Sequence, residues 1–241
     1  MKKKVSIITI CYNSLELLKR TAKSLEAQTS KNFEWIVVDG GSKDGTKDFL
    51  EANQLVHHWI SEPDDGISDA WNKGINLATS DYILILNSGD IYDNRFVEYI
   101  ENNVFDNKIY CANARIATLS GKVVGEFKAQ PKKLSYGMYL PHNWAIVPSK
   151  IYEEFGLYNN LKFSMDFDWF HRYYKKVGIK GFIVIDKTFG TYELGGLSDK
   201  SYIDGFISNA NIMKKNGKNK YLAYSIAFIH IIKHKVSGLI K

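Results

Sequence analysis

The stretch YILILNSGD, residues Tyr82 to Asp90, decides the fold that we expect for this chain of 241 residues. Its apolar first part, Tyr82–Leu86, is typical of a strand buried on both faces of a parallel sheet. The polar tetrad Asn87–Asp90 follows at the carboxyl end of that strand, where open α/β sheets bind their ligands. The carboxylate of Asp90 in this position indicates a site for a metal ion and a phosphate.

Strand-like and helix-like segments alternate before this stretch. Such alternation, at this spacing, forms crossover units around a mostly parallel sheet and predicts an α/β nucleotide-binding architecture. The strands are predicted at Val5–Ile10, Glu34–Val38 and His57–Ser61, and the helices at Leu15–Glu26, Thr46–Leu50 and Ser68–Ala78.

The second half is predicted to mix helices with antiparallel strands. No repeat or Pro-rich linker divides the chain, so we expect one domain over residues 1–216, with halves 1–105 and 106–216 and an appended segment 217–241. The predicted helices are Phe96–Val104, Asp166–Val177 and Tyr202–Lys215, and the predicted strands are Lys108–Ala117 and Lys122–Lys128 as a hairpin, Ala145–Val147, Phe182–Ile185 and Phe189–Tyr192.

The composition is that of a globular chain with basic ends. Hydrophobic residues make up 45% of the sequence, and the formal net charge is +6. Basic ends can serve nucleic acid, an anionic membrane or solubility. Because apolar segments separate the late lysines, we favour the membrane and expect no nucleic-acid partner.

The two cysteines, Cys11 and Cys111, lie in or beside apparent strands. This position favours free buried thiols over a disulfide and fits a reducing compartment. The apolar run Val5–Ile10 is too short for a signal peptide. We therefore expect a cytoplasmic protein.

Two common nucleotide-binding classes are disfavoured. The segment after the first strand, Cys11–Ser14, lacks the glycines of a dinucleotide-binding turn, and the chain has no P-loop motif. The histidines form no zinc-like grouping with the cysteines. Hydride transfer and ATP hydrolysis are therefore poor candidates.

Acidic side chains follow or precede several elements at what should be one edge of the sheet. Asp39 directly follows the second strand, Asp64 and Asp65 precede the third helix, and Asp90 follows the fourth strand. Carboxylates placed in this way can bind a ribose or base, or hold a cation beside a diphosphate. Each one alone could instead cap a helix or a turn.

Three long motifs stand in order in this half: Val5–Asn13 (VSIITICYN), Ile36–Thr46 (IVVDGGSKDGT) and Ser61–Ile75 (SEPDDGISDAWNKGI). The first two resemble the opening motifs of glycosyltransferase family 2, which has the GT-A fold. The third resembles a motif of bacterial members that build capsule, exopolysaccharide and O-antigen. The resemblance covers residues 4–90 closely and continues, more thinly, to about residue 200.

This resemblance implies a nucleotide-sugar donor, a divalent cation (Mn²⁺ or Mg²⁺), and inversion at the anomeric carbon. It implies a GT-A sheet of Rossmann-like type with helices on both faces, the nucleotide-sugar half first and a mixed acceptor half after it. Trp71 stands where many members have arginine, which bears on nucleotide identity; UDP is the nucleotide we expect. The residues implied for the nucleotide sugar are Thr9, Tyr12, Asn13, Asp39, Glu62, Asp69, Asn72, Ser88 and Gly89.

The metal motif departs from the Asp-x-Asp pattern of the family. Asn87 and Gly89 stand where acids are usual, and only Asp90 remains as a carboxylate. One carboxylate can suffice, because Mg²⁺ keeps several waters and takes few protein ligands. The alternative is that Asp90 only forms a turn or caps the following helix.

The segment Met165–Phe170 resembles the part of the family that supplies the general base at the start of a helix. Asp166 matches the base, and Asp168 is the second candidate. An inverting displacement needs such a carboxylate, because a sugar hydroxyl is a poor nucleophile. Both residues could instead be first-turn carboxylates that the helix dipole favours.

Two further segments resemble family features near the donor sugar. His142 could bond to a phosphate or to the acceptor, or could be a structural histidine. The glycines and the hydroxyl of Gly195, Gly196 and Ser198 resemble a mobile loop that closes over the nucleotide, although an ordinary glycine turn would also explain them.

The carboxyl-terminal stretch, residues 219–241, is apolar with flanking lysines. Its apolar run Tyr221–Ile232 falls short of the roughly 20 residues that span a bilayer. We expect peripheral contact with a membrane that presents a lipid-linked glycan acceptor; packing on the domain or contact in a homo-oligomer are the alternatives. A catalytically inactive GT-A module, or a nucleotidyltransferase, is the alternative to a glycosyltransferase that glycosylates a glycan or lipid-linked glycan.

Overall fold

The computed structural model describes residues 4–104, 106–118, 120–195 and 201–239. Residues 237–239 are described by their backbone alone. The strands in these ranges are β1 (Val5–Cys11), β2 (Phe33–Asp39), β3 (Val56–Ser61), β4 (Tyr82–Ile85), β5 (Ile91–Tyr92), β6 (Ile109–Ala117), β7 (Val123–Phe127), β8 (Ala145–Pro148) and β9 (Phe182–Glu193). The α-helices are α1 (Leu15–Glu26), α2 (Thr46–Ala52), α3 (Ile67–Leu77), α4 (Phe96–Asn103), α5 (Ser149–Phe155), α6 (Met165–Val177), α7 (Tyr202–Lys215) and α8 (Lys220–Leu239).

The described strands form one mixed sheet. Strands β3, β2, β1 and β4 lie side by side in that order and are all parallel, which confirms the α/β prediction for the first half. Strand β8 then pairs antiparallel with β4 and with β6, so the second half continues the same sheet. Its mixed character and the β6–β7 hairpin are also as predicted.

One prediction for the second half is wrong. The segments Phe182–Ile185 and Phe189–Tyr192 are not two strands but parts of the single strand β9. The register with β6 shifts between them, so the exposed residues Asp186 and Lys187 form a bulge instead of a turn. The polar residues Asp186 and Lys187 therefore suggested that the strand ends there, whereas the bulge accommodates them within one continuous strand.

Helices cover both faces of the sheet. Helices α1 and α4 pack on one face around the fully buried Trp35, and α3 and α6 pack on the other face. Gly74 lets α3 lie against β1, since a Cβ atom at this position would stand 2.3 Å from Cγ2 of Ile8. Both cysteines are buried and free, as predicted.

The last two described helices pack together beside α6. The buried face of α8, at Ala223 and Ala227, contacts α7 and Phe167. Helix α8 has 20 residues and extends beyond the apolar run that the sequence indicated. Within the described ranges, no helix combines the length and the apolar character needed to cross a bilayer.

Candidate active site

The carboxyl ends of the four parallel strands meet at one edge of the sheet. Cys11 pairs with Asp39 and Asp39 pairs with Ser61, so β1, β2 and β3 end level with one another. The backbone N–H of Ser88 donates to the carbonyl of Ile10, 3.4 Å away, which brings the chain after β4 to the same edge. The prediction of a shared edge for Asp39 and the tetrad is confirmed.

Asp39 is fully buried and fixes the loop after β2. Its Oδ2 accepts hydrogen bonds from Ser61 Oγ (2.7 Å) and from the backbone N–H of Ser42 (3.0 Å), and its Oδ1 accepts from the Ser42 hydroxyl. The carboxylate therefore joins the ends of β2 and β3. Its contact with a nucleotide stays a prediction.

Asn13 connects the loops after β1 and β2. Its backbone is in the left-handed region with φ at 46°, its N–H donates to Ser42 Oγ (2.7 Å), and its Oδ1 accepts from the backbone N–H of Lys43 (3.0 Å). Because its backbone N–H and its side-chain oxygen are both engaged, Asn13 joins the loop after β1 to the loop after β2.

Tyr12 presents an aromatic ring at this edge. Its side chain is 64% exposed and borders Gly40. A Cβ atom at Gly40 would stand 3.2 Å from Cδ2 of Tyr12 and 2.8 Å from Oδ2 of Asp64, so a larger residue there would displace these side chains. A ring above a flat glycine floor, with a carboxylate on the far side, can hold a planar base.

Two of the predicted nucleotide residues are engaged inside the fold. Thr9 is fully buried, and its Oγ1 accepts a hydrogen bond from Nε1 of Trp35 (2.9 Å). The Asn72 amide donates to the carbonyl of Tyr158 (2.9 Å) and accepts from the N–H of Tyr158 (3.0 Å). In this structure Thr9 joins β1 to β2, and Asn72 joins α3 to the backbone of Tyr158.

Glu62, just before α3, and Asp69, in its first turn, both pair with the side chain of Lys73. The Lys73 ammonium lies 2.8 Å from Glu62 Oε1 and 3.1 Å from Asp69 Oδ2. Asp69 also accepts the backbone N–H of Asp65, and this hydrogen bond, with Lys73, lowers the pKa of Asp69. These groups order the loop that carries Asp64.

Asp90 ends a chain of side-chain hydrogen bonds that crosses the two halves. Trp71 Nε1 donates to Oδ1 of Asn87 (3.1 Å), and Nδ2 of Asn87 donates to Oδ1 of Asn143 (3.4 Å). Nδ2 of Asn143 then donates to Oδ2 of Asp90. We name this series the Trp71–Asp90 chain. It occupies Asn87 with neutral hydrogen bonds and orients the carboxylate of Asp90.

The backbone of the tetrad is fixed by α1. The Thr21 hydroxyl accepts the N–H of Gly89 (2.9 Å) and donates to the carbonyl of Asp90 (3.0 Å). Gly89 has a φ of 100°, which a residue with a Cβ atom rarely adopts. Ser88 Oγ lies 3.3 Å from the Ser14 hydroxyl at the start of α1.

The surroundings of Asp90 do not supply a full countercharge. Burial is the main reason that its pKa rises to about 7, and the nearby Glu193 carboxylate raises it further. Hydrogen bonds from the Glu193 backbone and from Asn143, and the charge of Arg20, act in the opposite direction. Arg20 is paired with Glu193 itself, at 2.8 Å.

The carboxylate of Asp90 fits a divalent cation that takes one ligand from the protein. A carboxylate oxygen is a hard ligand, and a buried acid with incomplete countercharge favours an added positive charge. No group of three or more His, Cys, Asp or Glu side chains within the described residues could hold a metal by itself. A cation at Asp90 would therefore take most of its ligands from a bound diphosphate and water.

The two candidate bases on α6 have different surroundings. Asp166 is half-buried at the start of the helix, and burial raises its pKa. Asp168 is buried, and its Oδ2 accepts from Asn159 Nδ2 (2.7 Å) and pairs with Arg172 Nε (3.1 Å). Arg172 also donates to the carbonyls of Phe155, at the end of α5, and of Leu157, so Asp168 belongs to a network that holds α6.

His142 and Tyr158 connect the start of α6 to the Trp71–Asp90 chain. His142 Nε2 lies 2.8 Å from the Tyr158 hydroxyl, and its ring packs edge-on against Trp71 at a centroid distance of 4.6 Å. The charge of Asp166 acts on Tyr158. Burial lowers the pKa of His142 to about 3, which favours the neutral ring in this structure. Its contact with a phosphate or with the acceptor stays a prediction.

The predicted closing loop is described only at its start. Strand β9 ends at Glu193, and Gly195 follows in a turn with φ at 95°. Gly196 and Ser198 lie outside the described residues.

The sequence did not reveal Asn143 or the pairing of Arg20 with Glu193. Asn143 stands in the segment that drew attention to His142, but its partner Asp90 is 53 residues earlier. Arg20 and Glu193 are 173 residues apart. A local motif carries no signal for contacts of this range; pairwise covariation among relatives is the kind of signal that could find them.

Comparison with solved structures defines the class of fold. The structure of S. aureus TarS 1–349 in complex with UDP-GlcNAc matches with a TM-score of 0.65 at 15% identity, over 93% of this chain and 70% of TarS 1–349. The mannosyltransferase PcManGT of Pyrobaculum calidifontis, in complex with GDP-Man and Mn²⁺, matches with a TM-score of 0.65 at 14% identity, over 95% and 70%. The chain has the GT-A fold, as predicted.

The family follows from the sequence comparison. The model of glycosyl transferase family 2 matches residues 6–173, and the chain belongs to this family. An uncharacterised glycosyltransferase of Rickettsia typhi is 31% identical over 69% of this chain and 57% of its own length. A candidate teichuronic acid biosynthesis glycosyltransferase of Bacillus subtilis, TuaG, is 33% identical over 36% of each chain. The chain thus spans little more than half of the first relative and about a third of the second.

Proposed function

We propose that this protein is an inverting glycosyltransferase that moves a sugar from a nucleotide-diphosphate donor, a UDP-sugar, to a hydroxyl group of a glycan or lipid-linked glycan. The observation that carries the proposal is the position of Asp90. It is a buried, oriented carboxylate at the edge where four parallel strands end, in a chain of glycosyl transferase family 2. The alternative is a GT-A module that binds a sugar nucleotide without transferring the sugar.

The donor half would bind the nucleotide at the edge of the sheet. The base would lie against the exposed ring of Tyr12, over Gly40, with Asp39 and Asp64 at the sides. The TarS structure named above contains UDP-GlcNAc, which supports a UDP-sugar as the donor. A nucleotide held there would direct its phosphates toward the loop of Ser88 and Gly89.

Asp90 would hold a divalent cation, with Asn143 fixing the carboxylate. The cation would neutralise charge on the leaving diphosphate. The PcManGT structure contains Mn²⁺, which supports the choice of metal for a protein of this fold.

Asp166 is the residue that we propose as the general base. As the bond between the anomeric carbon and the phosphate oxygen breaks, the acceptor oxygen bonds to that carbon from the opposite face. Asp166 takes the proton of the acceptor hydroxyl, and UDP leaves with the bonding electrons. A pKa that burial has raised makes Asp166 a stronger base once it is ionised. Asp168 is already paired with Arg172 and fits a positioning role better.

The remaining expectations extend this proposal. Residues 1–216 would form the catalytic unit and residues 217–241 an appendage. A polysaccharide of the bacterial surface is the product class that the name of TuaG supports. A lipid-linked acceptor would require the chain to reach a membrane surface, while a cytoplasmic location and a homo-oligomer stay predictions.

Donor hydrolysis and nucleotide binding test the proposal. We expect UDP with Mn²⁺ to give the largest increase in Tm among UDP, GDP, dTDP and CMP, each tried with and without metal. Asp166→Asn should keep this increase and reduce turnover by about 10²–10⁴-fold. Asp168→Asn should instead lower the Tm, because it weakens the contact with Arg172.

Two outcomes would change the assignment. If no nucleotide raises the Tm, the donor site is not at this edge. If UDP binds with metal but wild-type protein and Asp166→Asn turn over no donor with any acceptor, the protein is the binding module.

A further inference from the structure

The positive charge of the chain is concentrated in its carboxyl-terminal part. Residues 205–241 carry seven lysines and no acidic residue, whereas residues 1–204 carry 25 basic and 26 acidic side chains. The net charge of +6 therefore comes from this segment. It contains most of α7 and all of α8.

Helix α8 has an outward face that is apolar. Its inner face packs on α7 through Ala223 and Ala227, which are almost fully buried. The opposite face carries large side chains at helical spacing: Tyr221 is 80% exposed, Phe228 is 64% exposed and Ile232 is 44% exposed. Leu222, Tyr224, Ile229 and Val236 extend this face and are exposed as well.

Lysines border this apolar face on both sides. On a helix of 3.6 residues per turn, Lys220 falls on one flank and Lys233 on the other, whereas Lys235 lies on the face itself, between Tyr224 and Phe228. Ile207 of α7 adds to the surface and, with Tyr224, lines a shallow groove of about 730 Å³ between the two helices. We name these exposed residues of α7 and α8 the C-terminal surface.

The C-terminal surface is attached to the part of the fold that carries Asp166. The Ser164 hydroxyl, just before α6, donates to the carbonyl of Gly205 in α7 (3.0 Å), and Ser208 donates to the carbonyl of Phe163 (3.0 Å). Helix α8 is tied to the same half through His230, whose Nε2 lies 3.1 Å from the Tyr139 hydroxyl. A partner bound to this surface would lie on the acceptor side.

We propose that the C-terminal surface binds an anionic lipid bilayer, with α8 lying in the plane of the interface. The apolar face suits the acyl chains, and the lysines on its two flanks suit the anionic head groups, because long lysine side chains can reach outward to them. Nucleic acid would not match the apolar centre, and a second copy of the surface would bring like charges together. The lipid contact does not depend on the donor; only its use, to reach a lipid-linked acceptor, rests on the proposed function.

Vesicle flotation with the full chain tests this proposal. Wild-type protein should float with vesicles that contain phosphatidylglycerol and much less with pure phosphatidylcholine, and added salt should weaken the binding. Lys233→Gln with Lys235→Gln should weaken binding by about thirtyfold, since each lysine near an anionic surface contributes about fivefold. Phe228→Ser with Ile232→Ser should weaken it at least about tenfold on both lipids.

A matched control is available on β7. Val123 and Val124 are exposed apolar residues far from the lysine-rich segment in sequence, so Val123→Ser with Val124→Ser should leave flotation unchanged. Circular dichroism and the UDP–Mn²⁺ Tm shift, measured on every variant, separate loss of lipid binding from loss of fold. Intact nucleotide binding without flotation would remove only the lipid proposal; flotation without nucleotide binding would remove only the donor site.

Two results would overturn the inference. One is equal flotation of wild type and of Phe228→Ser with Ile232→Ser. The other is a wild-type dimer in light scattering that dissociates in the same variant, because a second copy would then cover the surface.

Discussion

Replacing Asn143 with alanine should weaken metal binding without touching the metal ligand itself. Asn143 is 5% exposed, its Nδ2 donates to Oδ2 of Asp90, and its own carbonyl accepts a hydrogen bond from Tyr92 Oη at 2.6 Å. The backbone contact with Tyr92 survives the substitution. The change therefore removes only the side-chain amide that orients Asp90 and joins it to Asn87.

The expected size follows from the hydrogen bond that is lost. A hydrogen bond to a charged group contributes about 1.5–3 kcal/mol, and a tenfold change in affinity corresponds to about 1.4 kcal/mol. Mn²⁺ affinity in the presence of UDP should therefore fall by about 10–100-fold, the usual cost of losing the partner of a metal ligand. The Tm should also decrease by several degrees, because a buried carboxylate loses a donor.

Calorimetric titration of Mn²⁺ into the UDP complex measures this effect. Asn159→Ala is the control, because Asn159 Nδ2 donates to Asp168 Oδ2 at 2.7 Å, an amide-to-carboxylate bond of the same kind away from Asp90. We expect this control to keep wild-type Mn²⁺ affinity. Unchanged or tighter Mn²⁺ binding by Asn143→Ala would refute the reasoning, since the amide would then be irrelevant to the cation or compete with it.

Two further predictions concern the sheet that carries the site. Gly74→Ala should lower stability by about 1–3 kcal/mol, because the new Cβ would overlap Ile8. Gly205→Ala in helix α7 should instead raise stability by about 0.5–1 kcal/mol, because its Cβ would meet no neighbouring atom within 4 Å. Thermal denaturation of both variants measures the difference. Glu34 is buried, which by itself raises its pKa, but hydrogen bonds from Ser6, Thr79 and Ser80 outweigh this and lower it. A lowered folded pKa stabilises the protein above the unfolded pKa of about 4.3, and this contribution is lost as the pH falls through the folded value. Wild-type stability should therefore fall more steeply below about pH 4.3 than that of Glu34→Gln, in urea unfolding at several pH values; parallel curves would show that Glu34 is not responsible.

The fold was accessible from the sequence because its signals are local. The apolar run Tyr82–Leu86 and the alternation of strands and helices before it specify buried parallel strands, and the structure has them within one or two residues of the predicted ends. The edge position of Asp39 and Asp90 followed from the same periodicity. Local periodicity failed in β9, where the bulge at Asp186 depends on pairing with β6.

The site was accessible only in part. Sequence motifs identified Asp90, Asp166 and the loops around them, because such residues follow strands or begin helices at recognisable spacings. They did not show that Thr9 faces Trp35 or that Asn72 holds the backbone of Tyr158, since a motif gives residue types without the directions of side chains.

The sequence by itself determined an α/β chain with a carboxylate at the end of a buried strand, because hydrophobic period and turn residues act over a few neighbours. Only the tertiary structure decided what surrounds that carboxylate. Asn143, Glu193 and Arg20 reach Asp90 from distant parts of the chain, and their contacts exist only after the sheet has brought both halves together. The same holds for the C-terminal surface, whose lysines were visible in the sequence but whose apolar face is defined by the packing of α8 on α7.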